Sequence, residues 1–331
     1  MTEQKINKDK RLVNGILLLD KPPGLTSNQA LQKVKRLFAA RKAGHGGTLD
    51  QPAEGCLPIM FGSYTKLAEY MLDSYKVYEC DIELGTTTTT GDAAGEIIEK
   101  KPVPDFDAEA LEDCLSKFRG EIMQHPPAYS ALKYKGKRMH EYARAGIEVS
   151  RLARKVTIYE LLLLNVRDNH LKIRMTCSRG TYVRSVANDL GVCLGCGAHV
   201  HTLRRTEMSV LPVKYLVTLA QIEENTLETR DSLLIADKHL DLVKTKVYVT
   251  DEQAKELNHG KRIAAVDVEL DIEAELLMDK DVQEVQDAID GGKHVAIYIK
   301  DAEEISNSLL FGVGGFEDNK LRTHKILRNV L

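Results

Sequence analysis

The segment GHGGTLDQPA at residues 44–53 carries the strongest signal in this sequence. Its three glycines allow positive φ angles and a close approach of the backbone to a bulky ligand. His45 lies near its start and Asp50 near its end, without a surrounding metal-ligand or cofactor motif. A lone carboxylate after a glycine-rich loop is suited to nucleophilic or oxocarbenium-stabilising chemistry at a sugar carbon. The alternative is a plain turn in which Asp50 caps the residues that follow.

Several flanking segments extend this pattern in a fixed order. They are GILLLDKPPGLTS at 15–27, GCLPI at 55–59, TK at 65–66, KVY at 76–78 and RGTYVR at 179–184. Together with the glycine loop, these segments closely resemble the TruB family of pseudouridine synthases, from about residue 12 to residue 210. One departure is Gln51, because the family usually has proline directly after the aspartate.

The resemblance implies an RNA-modifying isomerase that converts the T-arm uridine of tRNA, conventionally position 55, to pseudouridine without a cofactor or metal. The reaction breaks the N-glycosidic bond, rotates the free uracil and rejoins it to the ribose through carbon. Asp50 is then the essential catalytic residue. It either adds covalently to the sugar or removes the neighbouring sugar proton to give a glycal, and the sequence does not distinguish the two.

The resemblance also assigns Arg184 and Tyr78 to the catalytic site. Arg184 pairs with Asp50, and such a guanidinium favours the ionised carboxylate. Tyr78 stacks on the target base, as aromatic side chains do with unstacked bases. The alternatives are a helix-surface arginine and a tyrosine in the core of a strand.

The remaining predicted substrate-binding residues are Tyr182, Leu203, His45 and Lys21. Tyr182 and Leu203 match family positions in the substrate pocket. A uridine in a folded T arm is stacked, so the enzyme must extrude it. His45 matches a histidine that helps to fill the vacated space, although a lone histidine is usually structural. For Lys21 we expect a structural or orienting role.

The composition predicts a two-domain globular protein. The chain has 331 residues, 43% hydrophobic and 29% charged. It has no apolar run of about 18 residues and no apolar N-terminal signal segment, which predicts a cytoplasmic protein. Its six cysteines are irregularly spaced, so we expect reduced thiols.

Charge is distributed unevenly although the net charge is only −3. Residues 1–45 carry ten Lys/Arg against three Asp/Glu, residues 133–155 eight against two, and residues 172–205 six against one. If these segments converge, they form an RNA-binding face; otherwise they are separate solvated surfaces. Residues 267–290 carry ten Asp/Glu against one Lys, with no assigned role.

The predicted fold class is α+β, with a mixed, largely antiparallel sheet, flanking helices and a small β-rich tail. Strands are expected at 15–19 and 78–84, a hairpin around 168–169, and helices after a Thr26–Gln29 capping box and at 181–190. We predict a catalytic domain at 1–245 and a second domain at 246–331. The second resembles a PUA-like RNA-binding domain more loosely.

A possible zinc motif lies at Cys193-x-x-Cys196, followed by His199 and His201. These four residues span only nine positions and lack the loop that separates the two ligand pairs in a zinc finger. The family's Ala-His-Val pattern also accounts for His199. We therefore predict no metal.

Two other functions remain open. One is a related synthase that works in a guide-RNA complex, as archaeal and eukaryotic relatives do. The other is a non-catalytic tRNA-folding chaperone that uses the same surface. The favoured hypothesis has the tRNA T-arm stem-loop as partner, with no membrane contact, no obligate protein partner and a monomeric chain.

Overall fold

The computed structural model describes residues 10–130, 132–147, 149–240, 242–243, 245–272, 294–301, 303, 307–328 and 330. The strands are β1 Gly15–Lys21, β2 Ala43–His45, β3 Glu54–Phe61, β4 Lys76–Leu84, β5 Thr86–Thr88, β6 Ile97–Lys100, β7 Gly120–Gln124, β8 Lys133–Tyr134, β9 Lys137–Arg138, β10 Arg154–Arg167, β11 His170–Cys177, β12 Ala198–Met208, β13 Leu216–Val217, β14 Thr245–Val249, β15 Ile263–Ala264, β16 Glu269–Ile272, β17 Val295–Ile299, β18 Leu309–Glu317 and β19 Lys320–Ile326. The α-helices are α1 Ser27–Leu37, α2 Ala68–Asp73, α3 Ala108–Ser116, α4 Met139–Arg144, α5 Val183–Cys193, α6 Leu219–Glu224 and α7 Asp251–Asn258.

The larger sheet has the strand order β13-β1-β3-β12-β4-β11-β10-β7, with β2 paired to β3. The β1–β13 and β3–β12 pairs are parallel and the other pairs are antiparallel. The apolar run at residues 16–19 is buried throughout, as expected for a strand covered on both faces. The predicted mixed, largely antiparallel sheet is confirmed.

Local sequence signals set several element boundaries. Thr26 and Gln29 form the predicted capping box at the start of α1. The predicted hairpin joins β10 and β11, and Asp168 has a positive φ of 51° in its turn. The predicted helix at 181–190 is observed as α5.

A second sheet follows with the order β15-β19-β18-β17-β14-β16, and α7 packs within its hydrophobic core. The predicted β-rich tail is therefore confirmed. The domain boundary at residue 245 and the RNA-binding assignment of 246–331 stay predictions. Most of the acidic segment 267–290 lies outside the described residues.

The two sheets are joined through the side chain of Tyr64, which is 1% exposed. Its hydroxyl donates to the Asp237 carboxylate at 2.5 Å, and Arg328 Nη2 donates to the other oxygen of Asp237 at 2.7 Å. Lys66 Nζ also donates to the main-chain oxygen of Ile326 at 2.6 Å. These contacts attach the last strand to the segment that follows β3.

A disulfide joins Cys114 on α3 to Cys193 at the end of α5. The expectation of reduced thiols is wrong for this pair, because the fold brings residues 79 positions apart to a Cα–Cα distance of 6.0 Å. Spacing along the chain could not show this proximity. The other four cysteines, at 56, 80, 177 and 196, are free and buried. No helix within the described residues is long and apolar enough to cross a bilayer.

Candidate active site

The glycine-rich segment runs from β2 to β3 and is held from several sides. Ser27 Oγ, at the start of α1, donates to the main-chain oxygen of Leu49 at 2.9 Å and accepts from its N–H at 2.8 Å. A Cβ on Gly46 would lie 2.6 Å from Met71 Cβ. Glycine is therefore needed at position 46 for close packing against Met71, and at position 47 for the positive φ angle of 131°.

Gln51 attaches the end of this loop to the turn after β1. Its Nε2 donates to the main-chain oxygen of Gly24 at 3.1 Å, and its own main-chain oxygen accepts from Gly24 N–H at 2.9 Å. The amide side chain thus provides a contact where the family usually has proline. This contact restrains the backbone immediately after Asp50.

Lys21 lies fully buried beneath the same turn. Its Nζ donates to the main-chain oxygens of Pro22 at 2.9 Å and Leu25 at 2.7 Å, and approaches that of Gln51 at 3.4 Å. Burial lowers the pKa of Lys21 to about 8, whereas the nearby Asp50 acts in the opposite direction. These contacts hold the ammonium group beside the backbone that follows Asp50, and the structural or orienting role of Lys21 stays a prediction.

Asp50 and Arg184 form an ion pair although they are 134 residues apart. Arg184 Nε lies 2.8 Å from Asp50 Oδ2, and Nη2 donates to Oδ1 at 3.1 Å. The guanidinium also donates to the main-chain oxygens of Thr90 at 2.7 Å and Tyr129 at 2.9 Å. Arg184 is 4% exposed, so its orientation is set by protein groups on several sides.

Burial raises the pKa of the Asp50 carboxyl, and Arg184 opposes this effect by favouring the ionised form. A second buried carboxylate, Asp92, lies 3.8 Å from Arg184 Nε and acts in the same direction as burial. Asp92 is itself held by Thr90 Oγ1 at 2.6 Å and by the N–H of Ala94 at 3.1 Å. The guanidinium therefore lies between two fixed carboxylates.

Asp50 faces a cavity of about 260 Å³. Of the predicted residues, Arg184, Tyr78, Tyr182 and Leu203 line this cavity as well. The other lining residues are Gly47, Thr48, Leu49, Leu72, Lys76, Ser130, Ser178, Gly180, Thr181, Val183 and Arg205. The structure thus brings together residues from the glycine loop, β4, α5 and β12.

Two buried cations on the cavity wall were missed by the sequence reasoning. Arg205 is 1% exposed and donates from Nε to the main-chain oxygen of Cys56 at 2.7 Å. Burial raises the pKa of Tyr78, and the positive charge of Arg205 acts in the opposite direction. Lys76 donates to main-chain oxygens of Leu72 and Ser74, and burial lowers its pKa to about 8. Both cations lie in or beside the motif segments, but no spacing rule indicates that they face inward.

His45 is half-buried and is not among the described residues that line the cavity. Burial lowers the pKa of its imidazole, and Arg205 acts in the same direction. His45 belongs to β2, which pairs with β3 beside the glycine loop. Its predicted role in the space left by a flipped nucleotide stays a prediction.

The basic segment at 172–205 is largely neutralised by carboxylates from other strands and from helix α2. Arg174 pairs with Glu207 at 2.6 Å, Lys172 with Glu79 at 3.4 Å, and Arg204 with Asp20 at 2.8 Å. Arg179 pairs with Asp73. The charge count therefore overstates how many positive side chains of this segment are free to bind phosphate. The count missed these ion pairs because the carboxylates lie in other parts of the sequence.

The Cys/His motif does not form one cluster. Cys193 is in the disulfide and Cys196 is a buried thiol, whereas His199 and His201 lie beside Glu83 on β4. The set considered from the sequence is thus divided between two places.

Family comparisons identify two adjoining matches along the chain. The model described as TruB family pseudouridylate synthase (N terminal domain) matches residues 35–183. The model described as tRNA pseudouridylate synthase B C-terminal domain matches residues 184–243.

Individual relatives give the same result. The chain is 52% identical over 225 residues to tRNA pseudouridine synthase B of Azoarcus sp. (strain BH72), covering 68% of this chain and 75% of that protein. It is 54% identical over 214 residues to tRNA pseudouridine synthase B of Shigella boydii serotype 4 (strain Sb227), covering 65% of this chain and 68% of that protein.

Solved structures with a similar fold include the chain matched in a Cbf5-Nop10-Gar1 complex. The TM-score is 0.68 at 24% identity, over 95% of this chain and 85% of that chain. An archaeal box H/ACA sRNP Nop10-Cbf5 complex gives a TM-score of 0.67 at 22% identity, over 96% and 87%. At these identities the likeness describes the fold.

Proposed function

The chain belongs to the TruB family of pseudouridylate synthases, and we propose that it converts a uridine in the T arm of tRNA, conventionally position 55, to pseudouridine. The observation that carries this proposal is the Asp50–Arg184 ion pair at a cavity that Tyr78 also lines. Relatives more than 50% identical are named tRNA pseudouridine synthase B, which supports tRNA as the substrate.

Asp50 is the catalytic carboxylate in this proposal. The bond between ribose C1′ and uracil N1 breaks, the uracil turns, and a bond forms between C1′ and C5. N1 gains a proton and C5 loses one, so the reaction is an isomerisation without a co-reactant. Asp50 either adds to C1′ or removes the neighbouring ribose proton. The fixed guanidinium of Arg184 favours the ionised form of the carboxylate against the effect of burial and orients it for either route.

The walls of the cavity hold the extruded base. Tyr78 and Tyr182 provide aromatic surface, and Leu203 provides apolar surface. Stacking of an unpaired base on aromatic side chains is worth about 1–3 kcal/mol per base. Arg205 lines the cavity together with Tyr78, and its positive charge acts on the phenol.

The wider RNA-binding surface is proposed from charge and family resemblance. The N-terminal basic segment continues through α1 to Arg41 and Lys42, next to the glycine loop. The domain at 246–331 is proposed as a PUA-like RNA-binding domain. The enzyme acts as a monomer, in the cytoplasm, without a protein partner.

The test is pseudouridine mapping on unmodified tRNA with purified protein and no added metal or partner. Wild-type protein should modify the T arm alone, and Asp50→Asn should form no pseudouridine while binding tRNA as wild type does. Asp168→Asn is a matched control, because Asp168 is an exposed carboxylate in the β10–β11 turn.

Each other outcome refutes part of the proposal. Full activity in Asp50→Asn would remove Asp50 from the chemistry. Inactive wild-type protein that still binds and refolds tRNA would favour the chaperone function. Activity that requires guide RNA would favour the guide-RNA synthase.

A further inference from the structure

Three potential metal-ligand side chains converge on β4 and β12. Glu83 and His199 are directly opposed in the antiparallel register of these strands. His201 lies where the register shifts between Val200 and Thr202, and such a bulge re-aims a side chain. Glu83 Oε2 is 3.6 Å from His199 Nε2 and 3.5 Å from His201 Nδ1, and the three atoms lie within 4.8 Å of one another.

These separations suit a shared tetrahedral ion. Zn²⁺ binds histidine nitrogen and carboxylate oxygen at about 2.0–2.2 Å, which places neighbouring tetrahedral ligands about 3.4 Å apart. The observed distances from Glu83 to the two imidazoles are close to this spacing. A small rotation of the Glu83 and His201 side chains, which both reach solvent, completes the set.

The orientation of His199 adds an independent argument. Its side chain is 5% exposed, and its Nδ1 lies 3.1 Å from the main-chain oxygen of Thr86. A carbonyl oxygen only accepts, so Nδ1 carries a proton, and Nε2 is the nitrogen that faces Glu83 and would bind an ion. A ligand histidine held by a carbonyl at its other nitrogen is the usual arrangement in metal sites.

His201 is also restrained by a neighbour. The His170 ring packs edge-on against it, with centroids 5.0 Å apart at 89°, and His170 Nδ1 is 2.7 Å from Asp81 Oδ1. The side chains of Glu83 and His201 are 32% and 45% exposed. An ion can therefore enter from solvent and complete its coordination with water.

We propose that Glu83, His199 and His201 bind a divalent transition-metal ion, with Zn²⁺ best matched by two imidazoles and one carboxylate. This set differs from the Cys/His motif considered in the sequence. Its role is structural: the ion cross-links β4 to β12. Val200 N–H donates to the main-chain oxygen of Gly91, and Ala93 N–H donates to the main-chain oxygen of Val200. These two bonds connect the position to the loop that carries Asp92.

The test is calorimetric titration of ZnSO₄ into the full chain after removal of metal with EDTA. We expect one Zn²⁺ per chain and a higher Tm in its presence, because an ion that binds the folded state stabilises it. Glu83→Gln and His201→Ala should each weaken binding at least about tenfold. His259→Ala is the matched control, since His259 is an exposed histidine at the end of α7.

Circular dichroism of the metal-free variants shows whether they fold, and both substituted side chains are partly exposed. Absence of stoichiometric binding in the wild type overturns the proposal. Wild-type affinity in folded Glu83→Gln and His201→Ala overturns it as well, because the ion would then be held elsewhere.

Discussion

Replacing Arg184 with lysine keeps a positive charge and removes the planar fork that holds Asp50. The guanidinium contacts both oxygens of Asp50 and, from the same plane, the main-chain oxygens of Thr90 and Tyr129. A lysine ammonium is a single point of charge and cannot span these separate acceptors. Arg184→Lys therefore tests positioning at constant charge.

The expected loss of stability follows from the two main-chain oxygens. Arg184 is 4% exposed, and its hydrogen bonds to the two oxygens are part-buried. An acceptor that is left buried without a donor costs about 1–3 kcal/mol, so loss of both contacts lowers the free energy of unfolding by at most about 2–6 kcal/mol. A displacement of Asp50 by about 1 Å lowers kcat about 100-fold, with a smaller change in KM.

Urea unfolding and pseudouridine formation on a tRNA transcript measure the two effects. Arg179→Lys is the matched control, because Arg179 is 70% exposed and pairs with Asp73 at the surface. Wild-type kcat and an unchanged unfolding midpoint in Arg184→Lys would refute the positioning argument.

Three further predictions concern stability. Gly55→Ala should lower the free energy of unfolding by at least about 1–3 kcal/mol, because the new Cβ would lie 2.2 Å from a main-chain oxygen of β12. Gly260→Ala is the control, since Gly260 has a similar positive φ and no neighbour within 4 Å, and should cost less. Equal losses in urea unfolding would contradict this prediction. Burial lowers the pKa of Lys21 from 10.5 in the unfolded chain to about 8 in the folded protein. Between about pH 8 and pH 10.5 the unfolded chain therefore binds more protons at Lys21, and the contribution of Lys21 to the free energy of unfolding rises with pH over this range. Lys21→Met should remove that contribution, and an identical slope of urea midpoint against pH in both proteins would argue against it. Alkylation of denatured, unreduced protein should modify four cysteines, and six modified thiols by mass spectrometry would disprove the Cys114–Cys193 pairing. Cys114→Ser should lower the free energy of unfolding by about 4 kcal/mol, because the bond spans 79 residues.

The local elements could be predicted from the sequence because their signals are local. The Thr26–Gln29 capping box and the apolar run at 16–19 each depend on four consecutive residues. The β-rich tail likewise follows from short apolar segments separated by glycine. Resemblance to a family placed Asp50, Tyr78 and Arg184 together, whereas their residue spacing alone did not.

What the sequence could not predict depends on contacts between distant residues. Nothing near Arg184 in the chain indicates that the main-chain oxygens of Thr90 and Tyr129 hold it. The inward position of Arg205 and the pairing of Cys114 with Cys193 arise in the same way. The count of positive charges at 172–205 also misleads, because carboxylates from other strands neutralise several of them.

The buried phenol of Tyr64 has a consequence for how the protein is made. Its partners Asp237 and Arg328 are translated 173 and 264 residues later. At about 5–20 residues per second, Arg328 is added about 13–53 s after Tyr64. During that interval, the region following β3 lacks the groups that complete its packing. Newly synthesised chains therefore expose this surface to chaperones and proteases until the final strand is in place.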